Sequence, residues 1–231
     1  MLAVVILAAG RGVRMRSDTP KVLHEAAGRP LLDRVLESAL SLGAGPIVVV
    51  VGSGREKVLQ HLARYPGVTP VVQEPQLGTG DAVRAALSAI VGADEVLVLS
   101  GDVPLLSDAT LTRLVDARRS SGASVAFLTA EPADAAGYGR VVRDAAGSFV
   151  RVVERKDATE EERTLREVNA GVYAFARPSS RRRVRRSRPH RARRARSRRR
   201  LRAPPSGTRR RRRARALPVP AGGEEIGRAH V

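Results

Sequence analysis

Residues 7–15, LAAGRGVRM, follow the apolar run Ala3-Val4-Val5-Ile6 and place two glycines and two arginines where a buried strand ends. A loop of this make-up can bring bare backbone amides near Ala9, Gly10 and Gly12 close to an anion, because glycine has no Cβ to block the approach. Arg14 adds a planar guanidinium, a fixed set of donors for phosphate oxygens. The loop lacks the Gly-Lys-Ser/Thr ending of a P-loop, and Met15 stands where a dinucleotide fingerprint would have its third glycine. An ordinary strand–turn–helix connection would use the same residues. Lys21 follows Pro20, which keeps the chain extended there. Its ammonium can reach the same phosphates, or it can lie in water like most surface lysines.

Three further stretches carry candidate chemistry. In Gln73-Glu74-Pro75-Gln76-Leu77-Gly78-Thr79-Gly80-Asp81, two glycines free the backbone to pair with a flat ring edge, and Gln73 offers a donor and an acceptor. That suits a nucleobase; a helix N-terminus capped by Thr79 is the plain alternative. In Ser100-Gly101-Asp102-Val103-Pro104, a carboxylate follows an apolar run, well placed for Mg²⁺ beside phosphates or for closing a turn. Asp102 alone is not a complete metal site. Tyr138-Gly139-Arg140, Glu154-Arg155-Lys156-Asp157 and Asn169-Ala170-Gly171 complete the set. Glu154 can accept from sugar hydroxyls, Asn169 can hold an acetamido or hydroxyl group, and the Gly139 amide can approach the same sugar; each also reads as a turn or a solvated charge. The four histidines, His24, His61, His190 and His230, have no spacing that suggests a metal site or a catalytic triad.

The elements that must position these residues alternate. Strands are expected at 3–8, 47–51, 69–73 and 96–100, short continuous Val/Ile/Leu runs of the kind buried on both faces of a parallel sheet. Helices are expected at 31–42, 55–64, 80–91 and 108–119, the last capped by Ser107. This alternation defines an α/β domain with a mainly parallel sheet, whose ligands bind along the edge carrying the strand C-termini. From about residue 123 the pattern turns to strands at 124–129, 139–143, 149–154 and 168–175, with a helical piece at 159–166. These extend the sheet into a mixed edge.

Composition divides the chain in two. The 231 residues carry a net charge of +19, are 42% hydrophobic and include no cysteine, which excludes disulfides and thiolate metal sites. Residues 1–180 hold 21 basic and 21 acidic side chains, whereas residues 181–231 hold 21 Arg and 2 Glu, the whole excess of +19. Between 181 and 215, 20 of 35 residues are Arg, with no acid, no aromatic and no hydrophobic period. Such a run is expected to be disordered. The domain boundary therefore falls at 1–178 and 179–231. The apolar start lacks a basic n-region and no run reaches spanning length, so a cytoplasmic protein without membrane association is expected.

In order along residues 3–176, LAAGRGVRM, PKVLH, QLGTGDA, GDVPLL, GYGRVV, VERKDAT and VNAGVYAF resemble one family. It is the uridylyltransferase domain of the bifunctional N-acetylglucosamine-1-phosphate uridylyltransferase and glucosamine-1-phosphate acetyltransferase enzymes. The first loop fits many sugar nucleotidyltransferases; QLGTG, GYGR and ERKDAT together are far more specific. The resemblance implies a Rossmann-like nucleotidyltransferase that joins UTP to N-acetylglucosamine-1-phosphate and releases pyrophosphate. It implies nucleotide contacts at Leu7, Ala8, Ala9, Gly10, Ser100 and Gly101, with Arg14 and Lys21 neutralising the triphosphate. It further implies uracil at Gln73, Gly78 and Thr79, Mg²⁺ as cofactor on Asp102, and the sugar at Gly139, Glu154 and Asn169.

The sequence departs from the family at three points. Ser100 replaces the aromatic that often precedes Gly-Asp, no second metal ligand of the Asn or Asp type follows residue 180 in the Arg-rich run, and the hexapeptide repeats of the trimer-forming acetyltransferase portion are not present. The Arg-rich tail reads as a shifted frame of G+C-rich DNA, and its closing EIGRAHV matches the translation of a common sequencing adapter. The domain is accordingly expected to be incomplete and this chain to turn over little. The competing expectation is a polybasic arm that binds nucleic acid non-specifically through its charge. Another sugar-phosphate nucleotidyltransferase remains an alternative within the enzyme class.

Overall fold

The computed structural model describes residues 1–177 other than Arg11, Val13, Arg14 and Arg16, together with the backbone of Arg228–His230. The chain opens with β1 (Leu2–Ala8), a short hairpin of β2 (Glu25–Ala26) and β3 (Arg29–Pro30), and α1 (Leu31–Ser41). It continues through β4 (Ile47–Val51), α2 (Arg55–Leu62), β5 (Val68–Val72), α3 (Thr79–Ala86), β6 (Glu95–Ser100) and α4 (Asp108–Ser121). The later elements are β7 (Val125–Ala130), β8 (Arg140–Arg143), β9 (Phe149–Val153), α5 (Glu160–Thr164), β10 (Val168–Ala176) and β11 (Arg228–His230).

Strands β5, β4, β1 and β6 lie side by side and parallel, and antiparallel β10 joins β6 to β7. β8 continues from β10 and pairs with β9, which builds the expected mixed edge. Alternation along the central strands explains the two cores. Val4, Ile6, Val49, Leu97 and Leu99 face α1, α2 and α4, whereas Val5, Val48, Val50, Val96 and Val98 face α3. All five residues of β4 are buried, as a strand covered on both faces requires. β5 lies at the sheet edge, where Pro70 costs no ladder bond toward a further strand.

Helix ends follow the sequence. Ser107 caps α4 by accepting from the Thr110 amide at 3.2 Å, and Thr159 with Glu162 forms a capping box on α5. α3 is shorter than its apolar pattern predicts: beyond Ala86 the amides of Leu87 and Ala89 bond three residues back, to Arg84 and Ala86. The chain there forms tight turns in place of α-helix. No helix among the described residues is long and apolar enough to cross a membrane.

The expectation of a disordered tail over 179–231 concerns residues that lie outside the described ones, apart from Arg228–His230. Those three residues pair antiparallel with Phe127–Thr129 of β7. An edge strand presents unpaired amides and carbonyls that any extended tripeptide can satisfy, so this pairing requires no sequence signal.

Candidate active site

The parallel order creates a switch point. From β1 the chain moves outward through β4 and β5, then returns to the other side of β1 as β6. The crevice beyond the C-terminal ends of β1 and β6 is where such sheets bind ligands. Ala9 and Gly10 leave β1 there, and Gly101 and Asp102 leave β6 there. Because β10 runs antiparallel to β6, its first residues reach the same edge: Val168 lies opposite Ala130 and Asn169 opposite Thr129, at the end of β7.

Close packing fixes the loops that follow β1 and β6. The Gly101 amide donates to the Leu7 carbonyl at 3.0 Å, and a Cβ on Gly101 would sit 3.1 Å from both that oxygen and Val22 Cγ1. Glycine keeps this turn of β6 against β1 free of that crowding. Val22 is buried, which anchors the one-turn 3₁₀ segment Lys21–Leu23 and sets the root of Lys21. From there Lys21 Nζ forms an ion pair with Asp102 Oδ2. Two residues 81 positions apart, each singled out for phosphate or cation chemistry, are thus in contact. Leu7 and Ala8 form the crevice floor as strand residues, Ala9 is buried, and Gly10 is exposed, with no atom of the other described residues within 4 Å of where a Cβ would stand. Arg14 lies outside the described residues.

Gln73, only 5% exposed, sits just past β5. Its Nε2 donates to the Gly78 carbonyl and to Asp81 Oδ2, each at 3.0 Å, so both amide hydrogens are committed and Oε1 keeps the carboxamide's acceptor capacity. Asp81 is held below the usual carboxylate range, first by this Gln73 bond and then by its Arg84 partner. Gly78, not Thr79, occupies the cap position of α3, and no side chain caps the helix. Thr79 is exposed on the first turn.

Gly139, Glu154 and Asn169, the residues expected at the sugar, also converge. The Asn169 amide donates to the Gly139 carbonyl at 2.9 Å, and Glu154 Oε1 stands 3.5 Å from the position a Gly139 Cβ would take. Arg140, buried, holds the preceding loop through the Ala135 and Tyr138 carbonyls. Ser100 Oγ reaches the Gly171 carbonyl at 3.4 Å, which joins the β6 tip to the start of β10.

Two residues contribute without having been singled out for it. A Cβ on Gly52, at the end of β4, would lie 2.9 Å from Ala9 O and 2.5 Å from Gln76 Nε2, so this glycine lets three loops meet. Its signal was present, since VVVVG repeats the strand-then-glycine pattern of the first loop. Tyr173 accepts from Asn169 Nδ2 at 2.6 Å, across an irregularity in β10 that sequence spacing does not reveal. His61 has a partner as well: it contacts Asp33 and ties α2 to α1, away from any cluster of metal-ligating side chains among the described residues.

An α/β sheet with glycine-bearing loops at its switch point and a mixed edge beside it is one of the open, mainly parallel architectures that bind ligands at that crevice. The sequence profile of the MobA-like NTP transferase domain matches residues 4–207. The chain belongs to that family and is a nucleotidyltransferase. It is 53% identical over 178 residues to the bifunctional protein GlmU of Bordetella parapertussis, covering 75% of this chain and 38% of that protein. The Streptomyces coelicolor protein of the same name is 52% identical over 177 residues, covering 75% and 37%. The chain thus spans just over a third of the length of these relatives. Among solved structures it resembles HddC from Yersinia pseudotuberculosis complexed with GMP-PN, with a TM-score of 0.60 and 23% identity over 76% of this chain and 77% of that one. A UDP-glucose pyrophosphorylase complexed with UDP-glucose gives a TM-score of 0.60 at 16% identity, covering 76% of each chain. These two likenesses establish the fold.

Proposed function

We propose that this chain is the uridylyl-transferring domain of an enzyme that makes UDP-N-acetylglucosamine from UTP and N-acetylglucosamine-1-phosphate. The observation that carries the reading is the meeting of Lys21 with Asp102 in the β1–β6 crevice, flanked by Gln73 on one side and by Gly139, Glu154 and Asn169 on the other. A triphosphate lying across the crevice has amides at Ala9 and Gly10 and the Lys21 ammonium for its oxygens. Gln73 Oε1 accepts from a ring N–H of the kind uracil carries and cytosine lacks at the same edge. Gly139, Glu154 and Asn169 hold the acetamido sugar.

In the reaction an oxygen of the sugar phosphate attacks the α-phosphorus of UTP in line. One P–O bond forms, the α–β anhydride bond breaks, and pyrophosphate leaves with the electron pair. The nucleophile is already ionised at neutral pH, so no general base is required. The chain's contribution is alignment and fixed positive charge.

Asp102 fits Mg²⁺. Its carboxylate already carries a cationic group, and a single carboxylate suits an ion that takes its other ligands from water and phosphate oxygens. Bound there, Mg²⁺ would supply charge neutralisation of the polyphosphate. Such substrates and cofactor belong to the cytoplasm.

Equilibrium binding of UTP, CTP, ATP, GTP and dTTP, followed by pyrophosphate release with N-acetylglucosamine-1-phosphate or glucose-1-phosphate, tests the reading. It expects UTP to bind preferentially and any release to require the N-acetylated sugar. Tighter binding of a purine nucleotide, or release with another sugar phosphate alone, assigns a different nucleotidyl transfer.

A further inference from the structure

The contact between Lys21 and Asp102 is held from both ends. Pro20 precedes Lys21, Val22 is buried directly after it, and Gly12 packs so close that a Cβ there would stand 3.0 Å from Lys21 Cβ. Asp102 follows Gly101, which is pinned to β1. The two side chains are 41% and 29% exposed, and among the described residues neither forms another ion pair. An ammonium therefore already occupies the place on Asp102 that a metal ion would take.

We propose that Lys21 is a placeholder cation that makes Asp102 refuse a divalent ion until a polyphosphate arrives to accept the lysine. This rests on the reading of Asp102 as the metal-holding carboxylate. A divalent ion entering alone must displace the ammonium from Asp102 into water, and the lost ion pair offsets part of what the new bond contributes. A polyphosphate changes the balance because its oxygens take up the displaced ammonium. Metal and polyphosphate then strengthen each other's binding through one residue, and the coupling is reciprocal by linkage. The protein takes its metal together with the nucleotide and not before it.

The probe is Mn²⁺ alone, titrated into the 231-residue chain without nucleotide at fixed ionic strength, with free Mn²⁺ read by electron paramagnetic resonance. Wild type binds weakly. Lys21→Met keeps the stem without the charge and binds Mn²⁺ about tenfold more tightly, a coupling in the ordinary range. Lys21→Gln gives the same tightening, Lys21→Arg restores weak binding, and adding Asp102→Asn to Lys21→Met removes the gain. Inorganic tripolyphosphate raises Mn²⁺ affinity more in wild type than in Lys21→Met.

Equal Mn²⁺ affinity in wild type and in both neutral Lys21 variants, lost in each with Asp102→Asn, overturns the placeholder and leaves Asp102 as the metal carboxylate. Mn²⁺ binding indifferent to Asp102→Asn removes that carboxylate reading itself, and the placeholder with it.

Discussion

Asn169 Nδ2 donates to the Tyr173 hydroxyl at 2.6 Å while Asn169 Oδ1 accepts from the Gly171 amide at 3.0 Å. Both ends of the carboxamide are thereby oriented by its own strand, at the irregularity where β10 loses register with β7. Asn169 presents one remaining hydrogen and one lone pair outward in a fixed direction.

Removing the hydroxyl frees that amide. Tyr173→Phe keeps the ring packed against Phe127 and Phe175 and should lower affinity for N-acetylglucosamine-1-phosphate several-fold. Affinity for UTP should not change, and stability should fall by about 1 kcal/mol, the worth of one hydrogen bond. Calorimetric titration with each ligand separates the two effects.

Gly10 offers a cleaner test of the first loop. With no atom of the other described residues within 4 Å of a Cβ there, Gly10→Ala should leave the melting temperature unchanged. If its amide meets a phosphate, the added methyl weakens UTP binding by about an order of magnitude, or ~1.4 kcal/mol. Gly101→Ala behaves differently, because its Cβ would stand 3.1 Å from the Leu7 carbonyl oxygen. That variant loses about 1–3 kcal/mol of stability from overpacking, measured by denaturant unfolding.

Acid should expose the Gln73–Asp81 contact. The folded-state value of Asp81 lies below its ordinary 3.8, with the Gln73 bond the largest cause and Arg84 next. A carboxyl depressed on folding contributes stability above its unfolded value and loses that contribution as pH falls through the folded one. Asp81→Asn should therefore destabilise at pH 6 and have no comparable effect near pH 2. Gln73→Ala should flatten the same acid limb, and melting temperatures from pH 2 to 6 for the three proteins check this.

The parallel half of the fold was legible because Val4–Ile6, Ile47–Val51 and Leu97–Leu99 are buried on both faces and therefore read as unbroken apolar runs. The site's edge followed from that order, since every loop after such a strand opens on the same side. Other features were hidden for local reasons. The hairpin of Glu25–Ala26 and Arg29–Pro30 turns on Ala27-Gly28, both at positive φ, and alanine is not a residue that announces such a turn. Gln73 looked like a free donor and acceptor because its partners, Gly78 and Asp81, come from the next loop and helix. Thr79 looked like a cap, yet the cap position fell one residue earlier. Lys21 and Asp102 could each be proposed for charge chemistry, but their contact depends on their chain neighbours Val22 and Gly101 packing against each other.

The most direct measurement is the Mg²⁺ dependence of UTP affinity in wild type and in Asp102→Asn. A nucleoside triphosphate held over the β1–β6 crevice by Lys21 and a metal on Asp102 predicts UTP binding that strengthens steeply with Mg²⁺ in wild type. In the variant that dependence should disappear. The same Mg²⁺-dependent UTP affinity in both proteins would contradict the account.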